Sequence, residues 1–262
     1  MPKVLLLGGK GHIGSGLRTY LPRLDASYEI TTIDLPDSED KATQPDAQQN
    51  FIDFDINEDP GRLSDCAKGQ NLVVYLARRN PHEAMNAMTD LVFETLLAQD
   101  RVPMIVGASS VHACDGAYSV REGTWADWAN RDFTAYATPP ERILATIPAC
   151  PTSDYGREKA HVEEWCQKLA EQGHDAVAAR WGGINMNNEM HEEHGYFALW
   201  CHQEDAARFV HACYTSHVNR TLRSGAHYFV VSNNTHNIFD IEIPREEIGY
   251  SPVHNAEVFY QG

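Results

Sequence analysis

Tyr155 and Lys159 stand four positions apart in Tyr155-Gly156-Arg157-Glu158-Lys159, at the start of a stretch with helical periodicity. Residues at i and i+4 share one helix face. An ammonium beside a phenol stabilises the phenolate and lowers the phenol pKa. That makes Tyr155 a general base near neutral pH. Ser109 and Ser110 follow an aliphatic run, and one of these hydroxyls could hold a substrate oxygen while Tyr155 removes its proton. A Tyr and a Lys at this spacing also occur on a plain solvated helix face, so the pair takes its meaning from its surroundings.

The second group is Gly8-Gly9-Lys10-Gly11-His12-Ile13-Gly14, which joins an aliphatic run to a helical one. Gly8, Gly11 and Gly14 form G-x-x-G-x-x-G. Glycine permits a tight turn and a close approach by a pyrophosphate, and the following helix N-terminus supplies N–H donors and partial positive charge. Asp34 lies 20 residues after Gly14, at the end of the next strand-like run. There a carboxylate accepts hydrogen bonds from the adenine ribose and repels a 2′-phosphate, so NAD is the expected cofactor. Asp55, after the third such run, is expected near the adenine. The alternative is a glycine turn needed only for helix–strand packing, with surface acids.

These groups need a scaffold, and apolar runs alternate with helical patterns along the chain. Strands are expected at Lys3–Leu7, Glu29–Leu35, Asn50–Ile56, Leu72–Ala77, Met104–Ala108, Ala176–Arg180 and His227–Ser232. Helices are expected at Ile13–Leu24, Glu58–Lys68, His82–Gln99, Ser153–Gln172 and Glu204–Tyr214. Ser38–Asn50 reads as a loop with at most one helical turn. The alternation implies an α/β fold with a doubly wound parallel sheet of Rossmann type. Residues 1–180 would form the dinucleotide-binding part and 181–262 a small substrate-binding part interleaved with it. The long aromatic stretch 114–151 reads as a lid-like insertion, since loops of this length are usually functional or disordered. Its Trp125 and Trp128 are expected to pack within the loop or to cover a bound ring.

Composition narrows the partners. The chain has 262 residues, 42% hydrophobic and 22% charged, with a net charge of −16. A chain this acidic is a poor partner for nucleic acid or an anionic membrane surface, which call for clustered Lys and Arg. No apolar run approaches the roughly 18 residues of a membrane span, and the opening segment reads as a strand rather than a signal peptide. The six cysteines are scattered without a CxxC pair, so neither a zinc site nor a disulfide framework is expected. Free thiols in a reducing cytoplasm fit best. His191-Glu192-Glu193-His194 lacks H-E-x-x-H spacing, and no metal is expected.

Taken together, the glycines, Asp34, Asp55, the YLA at Tyr75–Ala77, Ser109–Ser110 and Tyr155 with Lys159 resemble the extended short-chain dehydrogenase/reductase family, also called the NAD-dependent epimerase/dehydratase family. The resemblance implies Ser110 as the catalytic serine, Tyr155 as the base, and Lys159 as a grip on the nicotinamide ribose. It implies NAD contacts at Gly8, Gly11, His12, Ile13, Gly14, Asp34, Leu35, Asp55, Ile56, Leu76, Ala77, Arg78 and Lys159. Ala198–Ala212 and Tyr228–Phe259 are similar to the uronate and sugar dehydrogenase branch. On that likeness Arg78, Ser109, Val111, His112, Gly183 and His194 are the expected substrate contacts. The branch places an Arg shortly before the Trp that matches Trp200, where it holds a substrate carboxylate. Here Gly195 occupies that place, and His194 is the expected substitute.

The expected activity is oxidation of a hydroxyl on a sugar or sugar acid by NAD, with a lactone as product when the anomeric carbon reacts. A sugar-nucleotide epimerase, dehydratase or reductase would start from the same three residues. A non-catalytic NAD sensor would keep the glycines without needing Tyr155 or Lys159. The family's habit of pairing the helices at His82–Gln99 and Ser153–Gln172 suggests a homodimer.

Overall fold

Strands covered on both faces are written as continuous aliphatic runs, and those runs form the centre of the molecule. The computed structural model describes residues 1–42 and 50–261. Its strands are β1 (Lys3–Leu7), β2 (Glu29–Asp34), β3 (Asn50–Asp53), β4 (Leu72–Tyr75), β5 (Met104–Ser110), β6 (Ala176–Trp181) and β7 (His227–Val230). All pair in parallel in the order β3-β2-β1-β4-β5-β6-β7. The chain direction across the sheet reverses between β1 and β4. That switch point opens a crevice at the carboxyl ends of the strands, where ligands bind in this architecture.

The helices are α1 (His12–Leu24), α2 (Pro60–Ala67), α3 (His82–Leu97), α4 (Thr124–Ala129), α5 (Asp154–Glu171), α6 (Tyr196–Leu199), α7 (Gln203–Val218) and α8 (Glu242–Ile248). Leu17 and Leu21 of α1 and Phe209 and Val210 of α7 bury one sheet face together with Val4 and Leu6. Val92 and Phe93 of α3 and Trp165 of α5 cover the other, against Leu5, Val73 and Tyr75. β7 comes from beyond residue 181 and pairs with β6 from Ala178↔His227 to Trp181↔Val230, so the sheet draws on both parts of the chain.

The expected boundaries shift in places. The third strand stops at Asp53, because the Asp55 carboxylate turns back to accept from the Asn57 N–H at 2.9 Å. Ser110 extends β5, and α7 runs on to Val218. Of the expected loop at 38–50, residues 43–49 lie outside the described residues. The 114–151 stretch is neither free nor featureless. It holds α4 and joins a third apolar cluster with Tyr196, Phe197, Trp200 and Phe239 beyond the strand ends. Trp125 and Trp128 are both buried there, and the Trp128 indole N–H donates to the His236 carbonyl at 2.8 Å.

Candidate active site

The β1–α1 turn is built as its glycines require. Gly8 has φ +84°, and a Cβ there would meet the Ala77 backbone at 2.6 Å. A Cβ on Gly14 would meet the Gly9 backbone at 2.4 Å. Helix α1 begins at His12 with Gly11 as N-cap and no side-chain cap, so its first N–H groups remain open to a ligand. Asp34 is fixed from two sides. The Lys10 N–H donates to its Oδ2 at 2.8 Å and the Leu35 N–H to its Oδ1 at 2.9 Å. Each oxygen keeps acceptor capacity for a ribose hydroxyl. Burial would raise the Asp55 carboxyl, but hydrogen bonds from Asn57 and the Arg79 guanidinium outweigh it and hold Asp55 below its ordinary range.

Three cavities run along the strand ends. The first, about 360 Å³, is lined by Gly8, Gly11, His12, Asp34, Leu35, Asp55, Ile56, Leu76, Ala77 and Arg78, along with Lys10 and Arg79. The second, about 260 Å³, shares Gly8, Gly11, His12, Leu76 and Arg78 with it and adds Ile13, Gly14, Ser110, Tyr155, Lys159 and Trp181. Every expected cofactor position thus lines one of two adjoining cavities. A tight glycine turn, an uncapped helix start and an anchored ribose acceptor fit an extended dinucleotide. Trp181 adds a buried indole Nε1 that has no hydrogen-bond partner among the described residues.

Ser110 and Tyr155 line both the second cavity and a third one of about 1020 Å³, with Lys159 on the side of the second. Ser153 starts α5 by accepting from the Gly156 N–H at 3.1 Å, which sets Tyr155 and Lys159 on the first two turns. The Lys159 ammonium donates to the Ala108 carbonyl at 3.0 Å and lies 5.5 Å from the centre of the Tyr155 ring. Burial lowers its pKa to about 8, against the opposing pull of Glu158. Burial pushes the Tyr155 phenol up, opposed by hydrogen bonding with Ser110 and by the Arg78 charge. The expectation that Lys159 sets the phenol low is therefore revised. Desolvation outweighs the nearby charges, and the opposing cation is Arg78.

The structure separates the two serines. The Ser109 hydroxyl donates to Glu163 Oε1 at 2.6 Å, within a buried network where Arg180 grips both Glu163 oxygens. Ser109 is committed to that network, and the substrate contact expected of its hydroxyl is corrected. Ser110, on the opposite side of the strand, is the serine at Tyr155.

Val111, His112, Gly183 and His194 all line the third cavity. His112 packs edge-on against Tyr155 at 5.5 Å, with its Nδ1 3.5 Å from Asp115. His194 Nε2 sits 2.7 Å from the Val120 carbonyl. Sequence reasoning missed Ser119 and Arg121, which line the same cavity from the 114–151 stretch. It also missed Lys10, which pairs with Asp53 at 2.9 Å. The position of Lys10 inside the glycine loop was the available signal.

His191 and His194 belong to no metal-type cluster among the described residues. The cluster found there is His202, Glu204 and His254. The two imidazoles stack at 3.5 Å and 14°, so their in-plane lone pairs run side by side rather than converging on one ion. Among the described residues all six cysteines are free, and no helix is long and apolar enough to cross a membrane.

A family model, NAD dependent epimerase/dehydratase family, matches residues 4–183. No curated protein matches the chain. Similar solved structures include uronate dehydrogenase from Agrobacterium tumefaciens, at 20% identity and TM-score 0.74, covering 100% of this chain and 88% of that one. The dTDP-glucose 4,6-dehydratase of Bacillus anthracis str. Ames, in complex with NAD, is 15% identical with TM-score 0.69, covering 98% and 93%. UDP-glucose 4-epimerase from Brucella ovis, in complex with NAD, is 15% identical with TM-score 0.63, covering 97% and 94%. At these identities the likeness establishes a shared fold.

Proposed function

Because this chain belongs to the NAD dependent epimerase/dehydratase family, whose members are NAD-dependent enzymes, we propose that it is a dehydrogenase acting on a ring hydroxyl of a sugar or sugar acid. The observation that carries this reading is the placement of Ser110 and Tyr155 where the cofactor-side cavities adjoin a third, larger one, with Lys159 on the cofactor side. Gly8, Gly11, Asp34 and the α1 N-terminus would hold NAD, which supplies the hydride acceptor when bound. Tyr155 takes the hydroxyl proton at its phenolate oxygen, and Ser110 aligns the same substrate oxygen. Arg78 favours the phenolate, and the Lys159 ammonium stands 5.5 Å from the centre of the same ring.

Arg121 is the Lys or Arg residue that the third cavity presents away from the cofactor side. It comes from a different segment than the missing arginine before Trp200, and it suits an acidic group on the sugar. The segments 111–151 and 181–262 together make the substrate-binding part of this reading. A homodimer across α3 and α5 and a reducing intracellular setting belong to the same proposal, the latter supported by the free cysteines.

The test is NADH formation from NAD with a panel of uronic acids, neutral aldoses and sugar phosphates. Multiple-turnover release with one class, abolished in Tyr155→Phe with NAD affinity kept, is the expected result. NAD binding without release on any of them would overturn the dehydrogenase reading, and nucleotide sugars would then be assayed for epimerisation.

A further inference from the structure

Glu158 is a charged group beside the base that the reaction above does not use. Its side chain is 2% exposed, and it sits on α5 between Tyr155 and Lys159. A buried carboxylate requires a counter-charge, and next to a phenol it opposes the phenolate. Its partner is Arg78, whose Nε donates to Glu158 Oε2 at 3.1 Å from 80 positions away in the chain. The Arg78 guanidinium lies 4.9 Å from the centre of the Tyr155 ring.

Tyr155 thus has two cations within reach, and they are not equivalent. The Lys159 ammonium is buried and titrates near 8, so it discharges in mild alkali. A guanidinium stays charged throughout. The remaining groups at the ring are the Ser110 hydroxyl from β5 and the His112 imidazole with Asp115 behind it. None of these is a permanent cation. Arg78 favours the phenolate and Glu158 opposes it, so any net benefit depends on the guanidinium being kept in place.

We propose that Glu158 is a positioning residue: it holds the Arg78 guanidinium against the face of Tyr155, so that the base works beside a permanent cation as well as beside Lys159. This rests on the reading of Tyr155 as the base. Glu158 acts through Arg78 and touches no reacting atom.

The ionisation of Tyr155 can be read directly by NMR on protein labelled with ¹³C at tyrosine Cζ, with Tyr155→Phe identifying the signal. Arg78→Met should raise the Tyr155 pKa by about one unit and move the kcat–pH profile to alkaline pH by the same amount. In a Glu158→Gln background the same Arg78→Met change should have little further effect, because the guanidinium is no longer held. Glu158→Asp, which keeps the charge, should restore part of the coupling. An Arg78→Met shift of equal size in both backgrounds overturns the proposal. Arg78 is half exposed, so Arg78→Met stays testable where Glu158→Gln fails to fold, and an unmoved Tyr155 pKa in that variant overturns the proposal by itself. Turnover surviving in Tyr155→Phe would instead remove Tyr155 as the base while leaving these ionisation shifts intact, so the two failures are distinguishable.

Discussion

Replacing Lys159 with Met should abolish turnover and yet stabilise the fold at neutral pH. Burial lowers the Lys159 pKa from 10.5 to about 8. At about 1.4 kcal/mol per unit, keeping that ammonium charged inside the protein costs about 3 kcal/mol. Below pH 8 both the folded and unfolded chains hold the proton, and the cost is present in full. Between pH 8 and 10.5 the folded protein has released a proton that the unfolded chain still binds, so unfolding takes up a proton and stability rises with pH. Methionine removes the charge while nearly filling the space. It also leaves the Ala108 carbonyl without the donor now 3.0 Å away, a loss of roughly 1–3 kcal/mol. The net expectation is a gain of about 1 kcal/mol for Lys159→Met at pH 7, falling with pH and reversing to a deficit by about pH 10. Urea unfolding of the two proteins from pH 7 to 10, without added NAD, reads this difference. A stability difference that stays flat across that range would refute the assignment of a charged, desolvated Lys159. So would a variant less stable at pH 7 by about 3 kcal/mol or more.

Other expectations follow from single contacts. Asp34→Ala should weaken NAD by about tenfold or more, since hydrogen bonds to a charged group contribute about 1.5–3 kcal/mol. NADP should be affected less, and calorimetric titration with both cofactors separates the two; an unchanged NAD affinity would remove Asp34 as the ribose acceptor. Glu163→Gln leaves the fully buried Arg180 guanidinium without its carboxylate, so a destabilisation of about 3 kcal/mol is expected in a denaturant melt. A change below about 0.5 kcal/mol there would mean that the pair is dispensable. Arg121→Gln should raise KM for an acidic sugar about tenfold with kcat held, as expected for a lost charged contact. Neutral sugars should be indifferent to it, and equal losses on both would point to a structural effect of the loop.

Much of the fold was legible because parallel strands buried on both faces leave continuous aliphatic runs, as in KVLLL and LVVY. The order of the 114–151 stretch was not legible, because its partners are remote. Trp128 reaches His236 across 108 positions, and Arg131 reaches Glu257 across 126. No local periodicity records such contacts. The catalytic group was legible to the extent that it is local. Tyr155 and Lys159 share a helix face by spacing alone, and Ser110 could have been told from Ser109 by strand alternation, since neighbouring strand residues point to opposite faces.

The electrostatics of that group needed the packed chain. Spacing brings an ammonium near a phenol, and from that the sequence suggests a lowered pKa. Whether the pKa falls depends on how much water the surrounding segments remove and which distant charges they return. Here burial pushes Tyr155 up, with His112 of the 111–117 turn packed against its ring, while Arg78 arrives from beyond the end of β4 to oppose it. The carboxylate that holds Arg78 was in view all along, inside the Tyr-x-x-x-Lys motif as Glu158. Its meaning lay 80 positions away. A motif names the groups that do chemistry, whereas their working state is set by residues that share a neighbourhood only after folding.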